Sequence, residues 1–222
     1  AGVMRCLDFE SGVEVFRVDL GAMAYCGPVF LDSGRSVALY GVSDGRLVAV
    51  DSKHERHAKT LARLDGRIVA QPLRHDQSGR LFVATLRGPV YAFDLAAMYL
   101  IVQQGDSVPI AAVPVDSLIE LGRVWSAPVS AGNQIIVCDN SGLVVCVDAQ
   151  DLGRRKWAVD LGGAVIATPA VRRGIVIVAC LDRRLVALDL ETGATLTTRE
   201  FDAPLRHSPV ILEDALFITT EY

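Results

Sequence analysis

Apolar residues gather in short, strand-sized runs separated by turn residues. Ala164 to Val171, Ile175 to Cys180, Leu185 to Leu188 and Thr195 to Arg199 follow one another with a turn between each pair. Runs of this length, rich in Val, Ile, Leu and Ala, read as buried β-strands. No segment keeps an apolar period of 3.6 over ten or more residues, so the pattern predicts strands throughout and no long helix.

The runs repeat. A short strand ending in Asp recurs at Asp8, Asp51, Asp94, Asp148 and Asp189, at intervals of 43, 43, 54 and 41 residues. A Pro before an apolar strand recurs at Pro28, Pro72, Pro128, Pro169 and Pro209, trailing each Asp by 20, 21, 34, 21 and 20 residues. Gly45, Gly88 and Gly142 stand six residues before their Asp, where the fourth repeat has Arg183-Arg184 instead. Glu10-Ser11-Gly12 and Glu191-Thr192-Gly193 follow the Asp as tight turns, with a looser Asp151-Leu152-Gly153. The column four before the Gly holds Gly41, Ala84 and Cys138, with Cys180 in the equivalent place; small residues there let backbones crowd where blades taper.

Four short strands per 41 to 43 residues is the signature of a β-propeller blade. The predicted fold is all-β: a propeller of four-stranded antiparallel blades, five blades' worth. It forms one domain over residues 1–222, with repeats at about 3–45, 46–88, 89–142, 143–184 and 185–222. The chain starts and stops in mid-blade, so pairing of the N- and C-terminal strands into one sheet would close a five-bladed ring and remove an open edge. A segment of a larger ring fits the same phase. The third repeat carries about 13 extra residues, near 103–118, and they are apolar and Pro-containing. Insertions in repeat proteins often mark the binding face. Val108, Pro109, Ile110, Val113 and Pro114 are therefore candidate binding residues.

Composition fits buried strands. The chain is 51% hydrophobic and 6% aromatic with a net charge of -4, which excludes disorder and argues against nucleic-acid binding. Its mean hydropathy is +0.34, but no apolar run reaches the roughly 18 residues a membrane helix needs. The first residues show no signal-peptide pattern. The five cysteines, Cys6, Cys26, Cys138, Cys146 and Cys180, show neither CxxC pairing nor zinc spacing and read as buried small hydrophobes. Free thiols suit a reducing compartment, so a cytoplasmic location is expected, with the periplasm as the alternative.

Ala187-Leu188-Asp189-Leu190-Glu191-Thr192-Gly193, followed by His207-Ser208-Pro209, resembles the pyrroloquinoline-quinone-like (PQQ-like) propeller repeat. Trp157 stands four residues after Gly153, as that repeat wants, and Phe16 four after Gly12; Thr197 departs from it. The resemblance implies one of three roles: a quinone- and Ca²⁺-dependent dehydrogenase, an outer-membrane assembly scaffold, or a propeller attached to an acyl-adenylating, aminoadipate-semialdehyde-dehydrogenase-like enzyme. The strand cysteines resemble the third group.

Catalytic chemistry is not evident. No Cys-Cys pair occurs, and no Gly-x-Ser-x-Gly elbow or phosphate loop. An Asp at the same place in every repeat reads as a turn former. His54 and His57 lie in a charged turn. Arg172-Arg173, Arg183-Arg184 and Arg154-Arg155-Lys156 read as three turns of one blade region, and Arg172 and Arg173 are candidate contacts for an acidic partner. The expectation is a non-catalytic scaffold or protein-binding module, with a regulatory or substrate-presenting domain of an adenylating enzyme as the alternative. Neither PQQ nor Ca²⁺ is expected, and the partners are proteins or attached enzyme domains.

Overall fold

The computed structural model describes every residue except 1, 33, 35, 54–56, 104–113, 115, 119–120 and 221–222. A hairpin, β1 (Val3–Leu7) and β2 (Glu14–Asp19), opens the chain. Four complete antiparallel sheets follow. The first is β3 (Val29–Phe30), β4 (Val37–Gly41), β5 (Arg46–Asp51) and β6 (Ala58–Arg63). The second is β7 (Leu73–His75), β8 (Arg80–Ala84), β9 (Val90–Asp94) and, after helix α1 (Leu95–Gln103), β10 (Asp116–Leu118). The third is β11 (Val129–Ala131), β12 (Gln134–Cys138), β13 (Leu143–Asp148) and β14 (Asp151–Asp160). The fourth is β15 (Ala170–Arg172), β16 (Ile175–Ala179), β17 (Arg184–Asp189) and β18 (Thr195–Glu200). A second hairpin, β19 (Val210–Leu212) and β20 (Ala215–Phe217), ends it. The strands of each blade are called A to D in chain order.

Strand alternation explains the packing. On β12, Ile135 and Val137 face Phe82, Ala84 and Ala92 of the second blade. Ile136 and Cys138 face Val176, Val178 and Cys180 of the fourth. Because successive side chains point to opposite faces, one strand serves two interfaces and every position can be apolar. The B and C strands are therefore almost wholly buried, while β18 is exposed along its length. The A strands touch one another from blade to blade and form the inner wall.

The Pro anchor begins each A strand, and four of the five, all but the half-buried Pro28, are buried. Proline keeps the preceding residue extended, and that residue carries a contact between blades. Ala127 donates its N–H to Thr168 Oγ1 at 3.0 Å, and Thr168 donates its own to Ser208 Oγ at 3.0 Å. The Ser/Thr-Pro pair is thus a hydrogen-bond relay along the inner wall.

At the B–C turn, Gly45, Gly88 and Gly142 adopt φ of 86°, 115° and 104°. Arg183 fills the same place with φ 74°, a conformation that costs a residue with a Cβ about 1–2 kcal/mol. Arg183→Gly should therefore raise stability by about 0.5 kcal/mol, once the extra freedom of an unfolded glycine and the loss of the exposed ion pair to Glu200 are counted. A urea titration measures this directly.

Two expectations are corrected. The fold is not free of helix: α1 follows Asp94, whose Oδ1 accepts the N–H of Ala97 at 2.7 Å and caps it. Its sequence, LAAMYLIVQ, is apolar all round, which hides the buried set Leu95, Met98, Ile101 and Val102 from any periodicity test. The ring is also not closed by its ends. The β1–β2 hairpin and the β19–β20 hairpin form separate two-stranded sheets, and among the described residues no strand of one pairs with the other.

Candidate binding surface

In each antiparallel blade the A–B and C–D turns lie at one end and the B–C turns at the other. The first end, here the upper face, collects most of the side chains singled out above. Four of the five Asp anchors close its C–D turns, and Asp94 caps α1 instead. Asp189 Oδ1 accepts the Thr192 N–H and hydroxyl, both at 2.8 Å, and those bonds hold its carboxyl below the usual range. Asp8 does the same with Ser11. Asp51 accepts from Lys53 N–H, and Asp148 from Gln150 N–H and Asn133 Nδ2. Each of these four carboxylates is engaged by its own turn, and that of Asp148 also by the A–B turn at Asn133.

Trp157 crosses between blades. It lies on β14, donates Nε1–H to Leu190 O at 2.8 Å and packs on the turn at Gly193. A Cβ on Gly193 would stand 2.7 Å from the indole, and its φ is +73°, so glycine is required twice over.

Two side chains of the upper face were missed in the sequence. His75 contacts Ser78 Oγ at 2.7 Å through Nδ1 and Gly132 O at 2.8 Å through Nε2, so it ties the second blade to the third. Gln134, almost fully buried, donates to Glu191 Oε1 at 2.8 Å and ties the third to the fourth. At the lower face Asp139 was also missed. Burial opposes its ionisation, but bonds from Ser141, Gly122 and Leu143 outweigh that and hold its carboxyl low. One signal was available for the linkers: four residues before each Pro stands an apolar residue, Ala24, Ile68, Val124, Val165 or Leu205. The last four are at most 1% exposed and wedge between blades.

The basic groups divide. Arg172 and Arg173 sit at the upper A–B turn of the fourth blade and line a cleft of about 440 Å³ with Ile175, Ile177, Ile211 and Asp214. Arg173 reaches Asp214 at 2.8 Å, while Arg172 is half-buried at the rim. Arg154, Arg155 and Lys156 are not in a turn but on β14, exposed, in the third blade. Arg183 and Arg184 lie at the opposite, lower face.

Helix α1 directly follows a C strand, so this departure of the second blade from the repeat is on the upper face too. The helix packs beside β6 of the first blade. With Leu31 and Asp32 its Leu95 and Tyr99 border a groove of about 530 Å³. Of the expected insertion, Gln103 ends the helix and Asp116 to Leu118 form β10, so they belong to the blade itself. Pro114 is half-buried; Val108, Pro109, Ile110 and Val113 lie outside the described residues, as does His54.

All five cysteines are free thiols. Burial pushes the Cys146 thiol up to about 12 and that of Cys180 up to about 11, and Cys138 is also raised. Such thiols are protonated and unreactive at neutral pH. Among the described residues no three of His, Cys, Asp and Glu cluster as a metal site would need, and no helix is long and apolar enough to cross a membrane.

Residues 116–210 match the family model described as outer membrane protein assembly factor BamB. This stretch carries a BamB-like, PQQ-like repeat. The outer membrane protein assembly factor BamB of Shewanella oneidensis is 29% identical over 82 residues, which are 37% of this chain and 20% of that protein. The crystal structure of BamB from Moraxella catarrhalis superposes with a TM-score of 0.72 at 17% identity, covering 97% of this chain and 63% of that one. A chain in the crystal structure of the mitotic checkpoint complex gives 0.71 at 15% identity, covering 97% and 64%. At these identities the likeness to the solved structures establishes the β-propeller fold. The chain spans less than two thirds of the length of each of these three relatives.

Proposed function

We propose that this chain is a non-catalytic propeller scaffold that binds a protein partner through its upper face. One observation carries the reading: the largest described departure from the repeat, helix α1, lies on the same face as the cleft bordered by Arg172 and Arg173. A repeat fold that only had to stack would have no use for either. The relatives named as assembly factors support a scaffold role. In this reading the chain holds neither quinone nor Ca²⁺; stoichiometric binding of the pair on reconstitution would overturn it.

The relatives are named for the outer membrane, which favours the periplasmic alternative over the cytoplasmic expectation that the thiols carried. The same thiols are what favours the second reading, a propeller attached to an acyl-adenylating enzyme. An adenylation and carrier domain in the flanking sequence would support that reading.

The test is a deletion of residues 104–115, bridged by a short Gly-Ser linker. It stops short of Asp116, because Asp116 Oδ2 accepts the Leu152 N–H at 2.6 Å and joins the second blade to the third. The far-UV spectrum and unfolding midpoint should stay within error of the parent, while the partner recovered by affinity purification falls at least tenfold. Unchanged recovery would remove this segment from the binding surface, and loss of folding would assign it to internal packing.

A further inference from the structure

Each complete blade ends on a D strand, and the four D strands treat their outer edge differently. On the first blade α1 packs beside β6, where Lys59 Nζ donates to Ile101 O at 2.9 Å. On the second, β10 has only three residues. On the fourth, β18 sets Glu200 next to Arg199, and Glu200 also pairs with Arg183. On the third, β14 is the longest strand among the described residues, ten residues from Asp151 to Asp160, and it is the last strand of its sheet. An uncovered edge of that length offers a row of backbone N–H and C=O groups to an incoming strand.

The edge is basic. Arg154, Arg155 and Lys156 are consecutive and exposed, in a chain whose net charge is -4. Trp157 and Arg155 pair with successive residues of β13, Cys146 and Val147, which leaves Lys156 as the extra residue of a bulge. Beyond it, Trp157 to Asp160 pair with β13 in regular register. The N–H groups of Leu152 and Gly153 are already taken, by Asp116 Oδ2 at 2.6 Å and Asp151 Oδ1 at 3.0 Å. The edge open to a further strand therefore begins at Arg154.

We propose that an extended acidic segment of a protein partner adds to β14 as a fifth strand of the third blade. It pairs along Trp157 to Asp160 and sets its carboxylates against Arg154, Arg155 and Lys156. Charge selects this occupant. Opposite charges on neighbouring strands attract and like charges repel, so the β14 of a second copy is refused and an acidic strand is favoured. The chain's own residues 104–113 do not match: they hold one acid, Asp106, and Pro109 has no N–H to give to a ladder. The backbone edge selects a peptide over other polyanions, because main-chain pairing supplies the affinity of an added strand. This surface is the outer edge of the third blade, apart from the cleft at Arg172 and Arg173, and its test does not depend on the upper-face reading.

The test is fluorescence anisotropy of the purified chain with fluorescein-labelled (Glu-Thr)5, an acidic peptide of strand-forming pattern, in low-salt buffer. Saturable binding is expected. Arg154→Glu combined with Lys156→Glu should weaken it at least tenfold with the far-UV spectrum unchanged, and Arg154→Gln with Lys156→Gln should weaken it less. The peptide (Glu-Pro)5 keeps the charge but lacks half the N–H groups, and should bind the unmodified chain at least tenfold more weakly. Bound (Glu-Thr)5 should also slow deuterium exchange at amides between Trp157 and Asp160. No saturable binding, or binding untouched by the charge reversal, would overturn the proposal. So would equal binding of (Glu-Pro)5 or of a single-stranded oligonucleotide of the same charge, since either would mean attraction by charge without strand pairing.

Discussion

Trp157→Ala is expected to lower the unfolding free energy by about 3–5 kcal/mol, the cost of deleting a large buried aromatic side chain. The indole is 7% exposed and holds two blades together at once. Its ring covers the turn at Gly193, and its N–H satisfies the carbonyl of Leu190. Removing it opens a cavity at the interface of the third and fourth blades and leaves that carbonyl without its partner. In a repeat architecture, stability is a sum of unit and interface terms. The damage should therefore show as an early transition of the fourth blade and the β19–β20 hairpin, ahead of the rest. Trp157→Phe separates the two contributions: it keeps most of the packing and should cost about 1–2 kcal/mol for the lost hydrogen bond. A single unshifted transition in denaturant would contradict the coupling role given to this side chain.

Gly142→Ala is expected to cost about 3 kcal/mol. The backbone there has φ +104°, outside the range L-residues favour, which by itself costs roughly 1–3 kcal/mol. A Cβ would also stand 2.7 Å from the Gly163 carbonyl oxygen and 3.0 Å from its nitrogen. Those atoms belong to the backbone of the linker to the next blade and cannot swing aside as a flexible side chain does. Gly132→Ala is the control. Its φ is +57° and nothing lies within 4 Å of the added carbon, so it should cost only about 1 kcal/mol. Equal costs for the two would show that close approach of the blades is not what the glycine serves.

The repeat made the strands legible because each anchor has one local job. Asp closes a turn, Pro begins a strand, and Gly supplies a left-handed turn, so equal spacing translates into equal structure. The same locality explains what stayed hidden. Helix α1 is apolar on all sides because it packs on a neighbouring blade while leaving Leu100 60% exposed, and uniform apolarity has no period. Closure by the ends looked natural in one dimension, since the terminal halves are in phase. The contacts between blades, however, join residues 33 to 57 apart, such as Trp157 with Leu190, Gln134 with Glu191 and His75 with Gly132, and no single motif reports them. On the upper face, Arg172 and Arg173 were legible as a basic pair, but their companionship with Asp214 and an apolar cleft needed the half-blade to be in place. Arg183-Arg184, equally basic in sequence, falls on the other face because B–C turns point the opposite way from A–B turns.

The central claim is that a protein partner is bound on the upper face. It is tested most directly by a photo-crosslinking amino acid placed at Pro114 or Arg172 on that face, and at Arg184 on the lower face, in cells that express the chain. The account predicts a discrete crosslinked protein from the first two positions and none from the third. Crosslinking from Arg184 alone, or from none of the three, would contradict it.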